Sequence, residues 1–187
     1  MTWDPAFFRR SARFAPIAEA AARFAGFAAW PAVDDIDRRL AADAGVRFVA
    51  ADKGPGYARR IVDTGCVPTR PGNWHDFLNA LVWAAFPRAK RTLTVRLAAL
   101  ADARAGGNRG RDEDLLSLWD EGGVAFGAGA AAGVVFGHAL FEHLVRGEAV
   151  RGLALALPDA DAPLDARLAA VLAAPFAPLA ERALVAP

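Results

Sequence analysis

Between Asn73 and Pro87 the chain has little choice of conformation. Asn73 is a plausible helix N-cap, residues 74–86 are strongly apolar, and Pro87 ends that run. The same proline suits the first turn of a second helix, 87–103. On the first helix His75 and Asn79 stand four apart and share a face, which Trp83 continues, while Phe77, Leu81 and Ala84 take the other. Asp76, three residues after Asn73, occupies the place of a capping-box acid. An apolar helix with one polar stripe at its N-terminal end aims His75 and Asn79 at a shared ligand, and a helix N-terminus favours an anion. The plainer alternatives are capping roles for Asn73 and Asp76 and an ordinary hydrogen-bonded histidine. On the second helix Arg88, Arg91, Thr92 and Arg96 form a stripe with Lys90 nearby. Such a stripe is a solvated face or, beside His75, a phosphate site.

The flanking segments read as a mixture of helices and short strands. Phe7, Phe8, Phe14, Ile17, Ala21, Phe24 and Phe27 recur at helical spacing over 6–28. Asp34 is placed to cap a short helix through Asp43. Arg47 to Ala50 reads as a strand, Asp52 to Gly56 as a turn, Tyr57 to Asp63 as weakly strand-like and Gly65 to Asn73 as a loop. Leu115 to Trp119 reads as a strand, with Asp120-Glu121-Gly122-Gly123 as a tight turn into a strand at Val124 to Phe126. Val134 to Phe136 and Gly152 to Leu157 are strand-like, and Ala139 to Val145 and 163–174 are helical. Pro175 and Pro178 punctuate a last short helical segment. Helices and strands in blocks predict one α+β domain, 1–187, with several helices and a small, mostly antiparallel sheet. Its parts are a helical start (1–45), a mixed core (46–157) and a helical C-terminal segment (158–187).

Composition narrows the classes. The 187 residues include 46 Ala and 20 Arg against 2 Lys, so the 55% hydrophobic content is largely alanine and the core must lean on Phe, Trp, Leu and Val. One Cys excludes a disulfide framework or a cysteine zinc cluster; Cys66 itself reads as a small buried hydrophobe rather than a nucleophile. Asp4, Arg9, Arg10 and Arg13 interrupt any leader-like apolar run, and the longest uncharged run, Gly122 to Gly137, is too short for a bilayer, so the expectation is a cytoplasmic protein without membrane contact. No phosphate-binding Gly-Lys loop, dinucleotide fingerprint or nucleophile elbow occurs. The net charge of +1 conceals a segregation: residues 54–111 carry +7 and residues 112–187 carry −7. These parts either pack together and neutralise one another, or leave a basic middle for phosphate, nucleic acid or an acidic partner.

Two further clusters carry chemistry. On the strand reading, Asp120 shares the inward face of Leu116 and Leu118 and needs a partner: a metal, an arginine or the next turn's amides. His138 and Glu142 share a helical face. His143 lies about 140° round from His138, and the spacing has one residue too many for a zinc-protease motif, which excludes that reading. Should these segments meet, His75, Asp120, His138 and Glu142 supply a His/carboxylate centre for a divalent metal, with Arg70, Arg88 and Lys90 for a phosphate and His75, Asp76 and Asn79 for catalysis. That predicts a metal-dependent hydrolase of a phosphate-containing substrate. The alternatives are a non-catalytic interaction protein and a binder of nucleic acid or an acidic partner.

The strings Val67-Pro68-Thr69-Arg70, Asn73-Trp74-His75-Asp76, Asn79-Ala80-Leu81-Val82-Trp83, Phe86-Pro87-Arg88 and Lys90 resemble the signature of an uncharacterised bacterial family, a domain of unknown function. Arg111-Asp112, Leu118 to Gly122, Phe136 to Leu140 and Glu142 fit the same resemblance, which spans roughly 57–157. It implies membership, and no catalytic roles come with it.

Overall fold

The computed structural model describes every residue except 53, 55, 105, 106, 128–132 and 176–181, and describes Arg182 by its backbone alone. Among the described residues the chain forms α1 (Ala18–Ala22), α2 (Val33–Ala44), β1 (Arg47–Ala50), α3 (Tyr57–Thr64), β2 (Cys66–Thr69), α4 (Trp74–Ala85), α5 (Pro87–Ala103), α6 (Arg111–Gly122), β3 (Gly123–Phe126), β4 (Val134–Val135), α7 (His138–Val145), β5 (Val150–Ala156), α8 (Leu164–Ala173) and β6 (Arg182–Val185). The α+β class is as expected. The pairing is mixed rather than mostly antiparallel. β1 and β2 form a parallel pair, and a second sheet runs β4-β3-β5-β6 with β3 parallel to β5 and both edge strands antiparallel. No described helix is long and apolar enough to cross a membrane.

The apolar helix α4 is the centre of the fold. Everything from Phe77 to Trp83 on it is buried, and it packs against α2 on one side and α7 on another. Trp74 and Phe77 join Trp3, Phe7, Phe24 and Trp30 in a cluster of mostly edge-to-face rings, the geometry aromatic quadrupoles favour. The N-terminal segment reaches this cluster in short pieces, because Pro16 stands within it: 3-10 turns at Phe7–Arg9 and Ala12–Ile17, then the single short α1. The expected helix over 6–28 is therefore broken, although Phe7, Phe14, Ile17, Ala21 and Phe24 are buried and Phe8 and Phe27 partly so. α2 begins one residue before Asp34, with Ala32 as the cap residue and its amide donating to Asp35 Oδ2 at 3.1 Å.

Three segments differ from their sequence reading. Tyr57 to Asp63 is the helix α3, bounded by Gly56 and by Gly65 in the left-handed conformation, φ 67°; Arg59 and Asp63 pair across one turn of it. Cys66 to Thr69, read within a loop, pairs with β1 as β2. Leu115 to Trp119 is helical. Asp112, Glu113 and Asp114 sit in the first turn of α6, where a carboxylate is stabilised by the helix dipole, and Glu113, Leu116 and Trp119 are its buried residues, at a spacing of three. Leu118, placed inward by the strand reading, is 47% exposed. Asp120 to Gly122 is accordingly the last turn of this helix rather than a hairpin turn. The C-terminal part holds β6 after α8, so it is not wholly helical; Pro178 lies outside the described residues, as do Lys53 and Pro55 of the expected turn.

One junction places the site. β3 follows α6 without a break, and the Gly123 carbonyl accepts from the amides of Phe136 and Gly137 at 2.9 and 3.0 Å. The end of α6 and the start of α7 are thus held side by side, facing the first turns of α4.

Candidate functional site

The local chemistry of α4 starts with Asn73, whose Oδ1 accepts from the Asp76 amide at 3.0 Å, as an N-cap should. Asp76 does not complete a capping box. Its carboxylate turns to Arg70, accepting from the backbone amide at 2.7 Å and from Nε and Nη2 at 2.8 Å each. Burial would raise this carboxyl, but the Arg70 guanidinium and amide hold it below the ordinary range. The loop 70–73 is thereby fastened to the first turn of α4, with His75 left at the mouth of a cleft.

His75 meets His138, the first residue of α7. Their Nε2 atoms are 2.9 Å apart, with the rings edge to face. His138 is buried and its Nδ1 lies 2.8 Å from the backbone oxygen of Asp120. A carbonyl only accepts, so the ring proton is assigned to Nδ1. Burial pushes the His138 imidazole down to about 3, so it is neutral and its Nε2 is a bare lone pair. His75 Nδ1 lies 3.4 Å from Glu142 Oε2, and the other Glu142 oxygen pairs with Arg146. Each imidazole therefore has an acceptor behind its Nδ1, and the two Nε2 atoms converge on one point.

Behind the histidines a polar chain runs from the buried Lys90 and Asn79 out to Tyr57, which is 42% exposed. Lys90, 1% exposed, donates from Nζ to Asn79 Oδ1 at 2.9 Å and to the Asp120 carboxylate, and stands over the Trp83 ring, 5.4 Å from its centroid. Asn79 in turn donates from Nδ2 to the Tyr57 hydroxyl at 2.7 Å. Burial would raise the Asp120 carboxyl; Lys90 beside it reverses that and holds it low. The Tyr57 hydroxyl is pushed up by burial first and by the Asp120 charge second, so it stays protonated.

Of the expected metal set, His75, Asp120, His138 and Glu142 are all brought together. Only the two imidazoles converge, and their Nε2 atoms lie at hydrogen-bonding distance from one another; the carboxylates are engaged by Lys90 and Arg146, and among the described residues no group of three or more His, Cys, Asp or Glu is disposed to hold a metal ion. Of the expected phosphate residues, Arg70 lines the cleft but is committed to Asp76. Lys90 is buried beneath it. Arg88 is exposed at the start of α5, where its amide and that of Ala89 donate to Asp165 at 3.1 and 2.9 Å, away from the cleft. Arg96, on the same stripe, donates to the Ala174 carbonyl at 2.6 Å, past the end of α8.

The cleft encloses about 510 Å³, within the range of small-molecule sites. Besides the histidines, Asn79 and Asp120, it is lined by Tyr57 and Arg59 of α3, by Leu97, Ala101 and Arg104 at the end of α5 and beyond, and by Glu113 and Ser117 of α6, with Arg109 just before that helix. Tyr57, Arg104, Arg109 and Glu113 carry no motif; the only sequence mark among them is that Tyr57 is the chain's single tyrosine.

Residues 46–132 match the model of a family described as a protein of unknown function, DUF3025. The expected resemblance to a family of unknown function is met over that stretch, which contains the strings from Val67 to Lys90 and from Arg111 to Gly122; Phe136 to Glu142 lies beyond it. No curated protein and no solved structure matches the chain.

Proposed function

We propose that this cleft is the active site of a hydrolase of a phosphate-containing substrate, in which His75 and His138 hold a divalent cation between their Nε2 atoms. The observation that carries the reading is the convergence of those atoms at 2.9 Å with both Nδ1 positions backed by acceptors. His75 can meet the His138 lone pair in two ways: by donating from an Nε2–H, or, with its ring proton on Nδ1 toward Glu142, through a cation seated between two Nε2 lone pairs. Ligand nitrogens about 2.0–2.1 Å from one ion stand roughly 3 Å apart, and ligating histidines characteristically give their other N–H to a carbonyl or carboxylate. Such a cation supplies a water acidified to a pKa of about 7. In the reaction the water oxygen bonds to phosphorus, the ester P–O bond breaks and the water's proton ends on the leaving oxygen.

Metal analysis of purified wild type, His75→Ala and His138→Ala tests this, alongside hydrolysis of a generic phosphate ester. The expected result is about one ion per chain in the wild type, lost together with activity in both variants. Absence of metal from the wild type, with no uptake on titration of zinc or manganese, sinks it. That no third ligating side chain is disposed for a metal among the described residues favours a second reading, in which His75 donates from Nε2–H to the His138 Nε2 lone pair and the two form an acid–base dyad. Under that reading hydrolysis survives exhaustive chelation and is still lost in both variants.

A further inference from the structure

The cleft continues along α6, where Glu113, Ser117 and Asp120 all line it. At 1.5 Å per residue Glu113 stands about 10 Å along the helix axis from Asp120, whose carbonyl holds His138. Glu113 is buried, and two guanidinium groups approach the same carboxylate oxygen: Arg104 through Nη1 at 3.3 Å and Arg109 through Nε at 3.4 Å. A guanidinium has five N–H donors, so each arginine keeps most of its fork for another acceptor. One carboxylate between two guanidiniums also leaves a net positive charge. The other cleft arginines are differently placed. Arg70 is committed to Asp76, and Arg59 is shared between Asp63 and Asp102.

We infer that Arg104 and Arg109, held by Glu113, form a seat for an oxyanion, and that the substrate carries an anionic group, phosphate or carboxylate, seated about two turns of α6 away from the residue whose carbonyl holds His138. The seat stands on this geometry alone; its link to a substrate rests on the hydrolase reading. Planar guanidinium forks match both oxyanions in bidentate fashion. The span selects molecules with two separated polar ends rather than a compact monoester.

Inorganic phosphate and acetate, titrated separately by calorimetry, test the seat. After exhaustive chelation, so that no cation at the histidines can take the anion, the wild type and His75→Ala should bind the preferred anion equally. An Arg104→Gln/Arg109→Gln/Glu113→Gln triple variant, which leaves no buried charge unpaired, should bind it about tenfold more weakly or worse. Arg109→Lys, an exposed and conservative change, should lose part of the affinity because the charge stays and the fork goes. The tighter of the two anions identifies the group. Equal affinity in the triple variant, or no binding of either anion by the wild type, overturns the seat. His75→Ala separates the two proposals: loss of metal leaves the anion result standing, and loss of the seat leaves the metal result standing.

Discussion

Lys90 is a cation almost sealed from water, held by the Asp120 carboxylate and the Asn79 amide oxygen. Removing one partner of a buried ion pair strands the other, at about 3–5 kcal/mol. Lys90→Met should therefore lower unfolding stability by about that much in urea titrations, and Lys90→Met/Asp120→Asn should recover a large part of it. A surface phosphate ligand would show neither the loss nor the recovery. In the sequence Lys90 stood out as one of 2 lysines among 20 arginines, and a short, point-like ammonium is what a buried pocket accepts where a guanidinium fork is not filled. Its burial was not legible, because that depends on α6 lying across α5. Residue type and helical spacing singled out His75, His138 and Glu142, whereas Asp120 was singled out on a strand reading that the helix α6 replaces. Their roles were not legible: Asp120 is taken by Lys90, 30 residues back, and Glu142 is divided between Arg146 on its own helix and His75 on a distant one. Asp76 shows the same at short range, since Arg70 six residues back outcompetes the Asn73 amide for it.

At the scale of elements, the crossing of α6 and α7 is the most constrained feature. A Cβ at Gly137 would stand 2.5 Å from the Gly122 nitrogen and closer still to the Glu121 carbonyl. These are backbone atoms and cannot swing aside. Gly137→Ala should force the helix ends apart, costing about 1–3 kcal/mol and releasing His138 Nδ1 from the Asp120 carbonyl. The melting temperature reads the first effect and ¹⁵N shifts of the imidazole the second. α2 is tied to β1 in another way: Asp37 accepts from the Phe48 amide at 2.8 Å and from Arg47 Nε. The Arg47 guanidinium, with that amide, holds Asp37 below its ordinary 3.8. A carboxylate whose pKa is lowered by folding stabilises the fold above the unfolded value and loses that contribution as pH falls through the folded one. Asp37→Asn should thus cost about 2 kcal/mol at pH 7, and the gap from wild type should close below about pH 4. The helices α4, α5, α7 and α8 were legible because each has a cap, a proline or an apolar period of its own. α3 and α6 were not: the stretches read as strand, Tyr57 to Asp63 and Leu115 to Trp119, are too short for alternation and helical spacing to be told apart, and for α6 the acidic first turn was the better guide.

Across the whole molecule, the +7 middle and the −7 C-terminal part meet. Lys90 pairs with Asp120, Arg104 and Arg109 flank Glu113, and Asp165 takes the amides at the start of α5. Neutralisation inside the fold thus accounts for much of a segregation that also read as a binding surface. Sheet topology stayed hidden because strands of two to seven residues carry too little pattern to choose partners; β3 finds β5 only after α7 has returned the chain. The histidine pair depends on the same long return. His75 and His138 are 63 positions apart, and only the first lies inside the stretch matched to the family. On the proposed reading, a cation gripped by both would be a removable cross-link between two distant parts of the chain, one that exists only in the folded state. It should raise the thermal midpoint in proportion to the logarithm of its concentration, by about 2.7 kcal/mol of stability at a hundredfold excess over its dissociation constant. Chelator should return the chain to the lower midpoint without unfolding it outright. The molecule would then carry in its melting curve a direct record of how fully that cross-link is made.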